Sequence, residues 1–285
     1  MTQRKAALSL AAALLLAACA PNDAGDEPVD AEADDETESA LDEEISETWS
    51  EGPGYGVGFR HAGEGDDIVI FYGGYGATLK ASEAWLDEAY AVDLASRGVG
   101  RLYAVKGPLH ADYRDYEIGN SKIAKRLVGD EGARAKRVVV IAHSSGAFVA
   151  HELLGQLADG RDSLGNVADK IVYFNLDGAV GPSNAAIDNL AGAWAVSVRD
   201  TSGTRSMNAG AADANAAKYG ARGKGGLHEV KAAAGVCYAG ARWCLHMAAA
   251  NERPHNKAGL DVARDYTDFE GRPIQLAFLA ELDEP

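Results

Sequence analysis

The sequence predicts an α/β domain whose mostly parallel central sheet carries helices on both faces. Three observations predict it. Short, continuously apolar runs recur along the chain, as in "IVIFY" at 68–72 and "RVVVIA" at 137–142. Such runs suit strands covered on both sides. Helical patterns alternate with them, which is the signature of parallel strands joined by crossover helices. Finally, the run at 137–142 ends in His143-Ser144-Ser145-Gly146, directly ahead of a helix-like segment.

The elements follow in order. "GYGVGFRHAG" at 54–63 and "EGDDIVIFYGGYG" at 64–76 read as two short strands around the turn "GEGDD". Residues 80–97 place Trp85, Leu86, Ala89, Val92 and Leu94 at helical spacing. A strand at 100–107 and a helix at 115–130 come next, the helix closed by a Gly-Asp turn. The strand at 137–142 leads into a helix at 146–160 that stops near Gly160. Strands at 169–178, 193–200 and 226–235, a short helix at 184–192 and a terminal helix at 274–282 complete the pattern.

The N-terminus is a different material. Residues 1–18 combine Arg4 and Lys5 with an apolar stretch too short to span a bilayer comfortably. That is the pattern of an export signal. Its end, Leu16-Ala17-Ala18-Cys19, resembles the lipobox of bacterial lipoproteins. The resemblance implies cleavage before Cys19, lipidation of that cysteine and a membrane anchor through it. With Ala20 rather than Asp next, it implies the outer membrane. The other reading is an ordinary signal peptide cut near Ala18 or Ala20.

Residues 20–51 hold 14 acids and no Lys or Arg, so they cannot bury enough apolar surface to offset their ordering entropy. With Cys19 they read as a disordered acidic tether over 19–51, ahead of a domain at 52–285. The tether carries most of the net charge of −16. The domain has no basic excess, which argues against nucleic acid as a partner. In an exported chain Cys237 and Cys244 read as a local disulfide, with free buried thiols as the alternative. No Cys or His spacing suggests a metal site.

In parallel α/β sheets, sites form at the carboxyl ends of strands. Ala142-His143-Ser144-Ser145-Gly146, between a strand and a helix, resembles the nucleophile elbow of α/β-hydrolases, with Ala142 where the pattern's first glycine commonly stands. The family resemblance covers about residues 54–285. It implies an α/β-hydrolase fold, Ser144 as nucleophile with Ser145 as the runner-up, and the Ser145 N–H as one oxyanion donor. His143 is not expected to be the base, because adjacent side chains at the turn point apart. The loop Tyr72-Gly73-Gly74-Tyr75 is similar to the family's second oxyanion element, supplying an N–H from Gly74 or Tyr75.

The family's chain order, nucleophile then acid then histidine, leaves Asp177 or Asp200 as the acid and His228, His246 or His255 as the base, and His228 lies within a predicted strand rather than after it. Asp177 and Asp200 both end strands, and Asp177 is preferred because an apolar strand and a following glycine fix its direction. His246 is preferred over His255, because the cysteine pair would support the loop before it. The implied activity is carboxylic ester hydrolysis, esterase-like or lipase-like, on a small-molecule or lipid ester, without a cofactor. Residues 178–194 leave room only for a small cap, hence an open mouth. An acyltransferase or amidase would use the same groups. A reading of another class is an inactive hydrolase scaffold that serves as a surface binding module.

Overall fold

The structure is a computed structural model. It describes residues 48–52, 56–109, 113–159, 167, 169–237, 240–251 and 266–283. Within these, the strands are β1 (Ser50–Glu51), β2 (Val57–His61), β3 (Asp67–Tyr72), β4 (Val99–Val105), β5 (Val138–His143), β6 (Ile171–Leu176), β7 (Gly192–Arg199) and β8 (Gly225–Lys231). They form one sheet in the order β1-β2-β4-β3-β5-β6-β7-β8. β1–β2 and β2–β4 are antiparallel, and every pair from β4 to β8 is parallel. The helices are α1 (Leu79–Ala89), α2 (Tyr113–Val128), α3 (Asp130–Arg134), α4 (Gly146–Asp159), α5 (Asn184–Asp188), α6 (Ala209–Gly220), α7 (Arg242–Ala248) and α8 (Ile274–Ala277). The antiparallel second strand, the strand order and the sharp strand-to-helix turn between β5 and α4 make this an α/β-hydrolase fold.

The apolar strands need cover on both faces because successive side chains alternate between them. Ile68, Ile70, Val138, Val140 and Tyr173 point into a core closed by α2, α4, α5 and α6. Val69, Phe71, Val139, Ile141 and Phe174 point the other way, against α1, α7 and α8. There Trp85 of α1 stacks on Phe71 with ring centroids 4.0 Å apart. Each such Val, Ile or Phe contributes roughly 1.5–3 kcal/mol by leaving water. β5 lies between β3 and β6, so its carboxyl end is framed by theirs.

Four local readings change. The helix expected over 80–97 is α-helical only to Ala89 and continues as a π-helical turn, Tyr90–Leu94. The wider turn shifts the face, so Leu94 is buried while Val92, which the 3.6-residue period placed inward, is exposed. α6 had no counterpart in the sequence reading. It buries Ala209, Ala212, Asn215 and Tyr219, a face of small and polar residues with little apolar contrast. The terminal helix is one α turn that tightens into a 3-10 helix at Phe278–Leu282.

The last change is at the tether's end, because the folded part begins before residue 52. Ser50 and Glu51 pair with β2, and the Trp49 indole Nε1 donates to the Asp87 carboxylate at 3.0 Å. An indole against α1 supplies the anchoring that the acidic run before it lacks. Residues 1–18, Cys19 and most of the tether lie outside the described residues, as does His255.

Candidate active site

Ser144 follows the last residue of β5 in a left-handed backbone conformation, φ 53°. For a non-glycine residue that conformation costs on the order of 1–3 kcal/mol and persists only where its surroundings over-determine it. Here they do. Ser144 N–H donates to the Leu176 carbonyl at 3.1 Å, and the Ser144 carbonyl accepts from Ala147 N–H at 3.2 Å. The turn brings α4 so close to the loop after β3 that a Cβ on Gly146 would stand 2.3 Å from the Gly73 carbonyl oxygen. Glycine is therefore required at 146, and the 72–75 loop lies directly against the turn.

Asp177 mirrors Ser144 one strand over. It follows β6, also in a left-handed conformation, φ 44°. Its N–H donates to the Val196 carbonyl at 2.8 Å, and the side chain is fully buried. The carboxylate Oδ1 accepts from Ser206 Oγ at 2.6 Å, and Oδ2 from the Asn208 N–H at 3.2 Å. The Asn208 side-chain amide donates to the Asp177 carbonyl at 2.7 Å. Burial raises the carboxyl pKa and is the largest single influence. Hydrogen bonds from His246 and Ser206, the charge of His246 and the Asn208 N–H together outweigh it, and the pKa ends below the ordinary carboxylate range.

His246 joins the two strand ends. Its Nδ1 lies 2.5 Å from Asp177 Oδ2, and its Nε2 lies 3.0 Å from Ser144 Oγ. Since an ionised carboxylate only accepts, Nδ1 carries the proton and Nε2 is left to accept from the serine hydroxyl. The ring is buried on α7, with the Trp243 ring 5.3 Å away centroid to centroid. Cys237 and Cys244 form a disulfide, with Cα atoms 5.8 Å apart. It ties the start of α7 back to the segment after β8, two residues before His246.

Asp200 does different work. Its Oδ1 closes a turn, accepting from Ser202 Oγ at 2.7 Å, Ser202 N–H at 2.9 Å and Thr204 N–H at 2.8 Å. The Ser202 hydroxyl is the main cause of its lowered pKa. Asp177, not Asp200, is the carboxylate that meets His246. Ser145 Oγ is buried and has no hydrogen-bond partner among the described residues. Gly74 accepts from Ala77 N–H at 3.0 Å, which folds the 74–77 turn and leaves Tyr75 exposed at its tip. No group of three His, Cys, Asp or Glu that could hold a metal occurs among the described residues.

The sequence reading missed Ser206 and Asn208, the two donors that hold Asp177. Their signal was faint: a polar stretch, "TSGTRSMN" at 201–208, after the strand next to Asp177. It also missed what fixes the loop after Asp177. Asn215 of α6 accepts from Gly181 N–H and donates to the Ala179 carbonyl, both at 2.9 Å, and Tyr219 OH donates to the Gly181 carbonyl at 2.8 Å. Five exposed apolar side chains, Tyr75, Phe148, Val180, Met207 and Trp243, come from five different segments, each within a few residues in sequence of a site residue.

No family model matches the chain, and no curated protein matches it in sequence. Solved structures do share its architecture at a distance. An esterase from the hyperthermophilic archaeon Pyrobaculum calidifontis is 12% identical over 65% of this chain and 73% of its own, with a TM-score of 0.47. Esterase B from Lactobacillus rhamnosis, inhibited by a tributyrin phosphonate, is 12% identical over 61% of this chain and 68% of its own, with a TM-score of 0.40. A dienelactone hydrolase-like promiscuous phosphotriesterase from metagenomic libraries is 12% identical over 61% and 75%, at a TM-score of 0.39. At such scores the likeness adds nothing to the chemistry, which rests on the side chains described above.

Proposed function

We propose that the protein is a serine hydrolase that cleaves carboxylic esters through an acyl-enzyme. The observation that carries this reading is the continuous relay from Asp177 Oδ2 through the His246 ring to Ser144 Oγ, at 2.5 and 3.0 Å. Ser144 Oγ attacks the ester carbonyl carbon as His246 Nε2 takes its proton. Asp177 holds the ring tautomer and stabilises the imidazolium. The tetrahedral oxyanion is received by the Ser145 N–H and an N–H of Gly74 or Tyr75. Removing one such donor typically costs about 10²–10³-fold in kcat. His246 then returns the proton to the leaving alkoxide, and the alcohol departs. Water, deprotonated by His246, attacks the acyl-Ser144 carbonyl and releases the acid.

The exposed apolar side chains Tyr75, Phe148, Val180, Met207 and Trp243, each near a site residue in sequence, support an ester with apolar groups. The N-terminal sequence supports export, cleavage before Cys19, lipidation there and a tether that holds the domain away from the bacterial outer membrane. Turnover of a p-nitrophenyl ester by the full chain tests the enzymatic reading. Ser144→Ala is expected to abolish it, and full activity in that variant overturns the reading. A fluorophosphonate probe is expected to label Ser144 and nothing in the variant, whereas an inactive binding scaffold would take no label.

A further inference from the structure

The relay fixes the imidazole of His246 but not the backbone that carries it. α7 is a seven-residue helix, too short to hold its own geometry by helical cooperativity. His246 sits in its last turn, and its carbonyl accepts the capping Ala249 N–H at 3.3 Å. The same carbonyl also meets a side chain, that of His143. That ring's Nε2 lies 3.0 Å from the His246 carbonyl oxygen. A carbonyl only accepts, so Nε2 of His143 carries the hydrogen and donates. His143 is 1% exposed, and its ring centroid lies 4.8 Å from that of His246. Strand parity explains the meeting. Val139 and Ile141 face the α7 side of the sheet, and His143 is the next residue of that parity on β5.

We propose that His143 is a positioning residue for the base. This rests on the catalytic reading above. His143 is joined by one peptide bond to Ser144, and its side chain grips the main chain of His246. The same strand end therefore presents the nucleophile and anchors the base. Asp177 holds the imidazole at the ring; His143 holds it at the backbone. The His143 Nε2–H is committed to that carbonyl. The grip matters because the His246 ring must stay in reach of Ser144 Oγ while it gains and loses a proton in each half-reaction. It also gives a reason for histidine here: a leucine or phenylalanine would fill the space but could not donate.

The test compares His143→Leu with His143→Gln, whose side-chain amide can donate to the same carbonyl, in the full chain. His143→Leu is expected to lower kcat for p-nitrophenyl butyrate about 10–100-fold with KM within about twofold, the pattern of a misplaced reacting group. The fluorophosphonate labelling rate should fall in step. His143→Gln should recover most of that loss. Thermal unfolding of both variants reports whether they fold. Equal, large losses of kcat in folded Leu and Gln variants would overturn the proposal, as would parental kcat in His143→Leu. Should the leucine variant not fold, ¹⁵N NMR of the parent decides: His143 is expected as the Nε2–H tautomer with a slowly exchanging proton, and the Nδ1–H tautomer overturns the proposal. If the catalytic reading itself is wrong, Ser144→Ala stays active, an outcome independent of every His143 result.

Discussion

The two ends of the sheet are built from opposite materials. At the amino end, charged groups meet near the surface: Lys136 with Asp66 at 3.1 Å, Arg137 with Asp67 at 2.8 Å, and Arg97 with both Asp93 and Asp283. At the carboxyl end, charge goes inside. Asp177 and His246 are buried together, and Ser144 and Asp177 hold left-handed conformations at the strand ends. The amino end leaves most of these charges partly in water, where they cost little and contribute little, with Asp67 as the buried exception. The other end buries a carboxylate with an imidazole and strains the backbone at Ser144 and Asp177, each of which costs stability. Such features concentrate where the arrangement does chemistry.

The comparison breaks hardest at Ser144. Ser144→Ala should lower kcat by about 10⁴–10⁶-fold, the range seen when a nucleophile is removed from a triad. Its thermal unfolding should move little, since both residues must adopt the same φ. Asp177→Asn comes next. A neutral amide cannot hold the His246 tautomer, and about 10⁴-fold in kcat is expected to go. Asp200→Asn is the control at the neighbouring strand end. It should loosen the 200–204 turn and leave kcat within about threefold, because Asp200 touches no reacting group.

Acid sharpens the same contrast. The folded pKa of Asp177 lies below its unfolded value, so its stabilisation is present above the ordinary carboxylate range, about pH 4. It is lost as pH falls through the lower, folded pKa. Urea unfolding of the parent and of Asp177→Asn should therefore differ most near neutrality and converge below about pH 4. A stability difference that grows towards acid would contradict the buried pair.

The disulfide gives a smaller effect. Cys237→Ser/Cys244→Ser closes no loop ahead of α7, and a short-loop crosslink contributes about 2–3 kcal/mol at most. Unfolding in urea should show that loss. kcat should fall only several-fold, because Asp177 and His143 still hold His246. An unchanged unfolding midpoint would mean the staple supports neither end.

Much of this is legible in the sequence. The continuous apolar runs and the strand–turn–helix at 138–159 declare the sheet and Ser144, because burial on both faces and the tight turn restrict residue types locally. Asp177 was legible as a strand-end residue, His246 only through chain order and the cysteines beside it. What was illegible was long-range. Nothing local says that Ser206, Asn208 and Asp177 meet, since they come from different strand ends. α6 hid because alanine and asparagine bury a face without apolar contrast. His143 looked like a rejected base. Its partner is a carbonyl 103 residues away, and only strand parity hints at the side it faces.

The weakest perturbation is the most useful control on the amino end. Lys136 is 81% and Asp66 45% exposed at the side chain, so their attraction is screened by water and offset by the entropy of holding two long chains. Lys136→Ala should shift stability by less than about 1 kcal/mol, less still at high salt, and leave kcat untouched. A larger loss would mean that the pair is part of a network with Arg137 and Asp67, whose carboxylate is buried beside it. A double-mutant cycle of Lys136→Ala with Asp66→Ala separates the two cases. Coupling of a few tenths of a kcal/mol fits an isolated surface pair, and a value several times larger would make the amino end a second place where this fold stores charge.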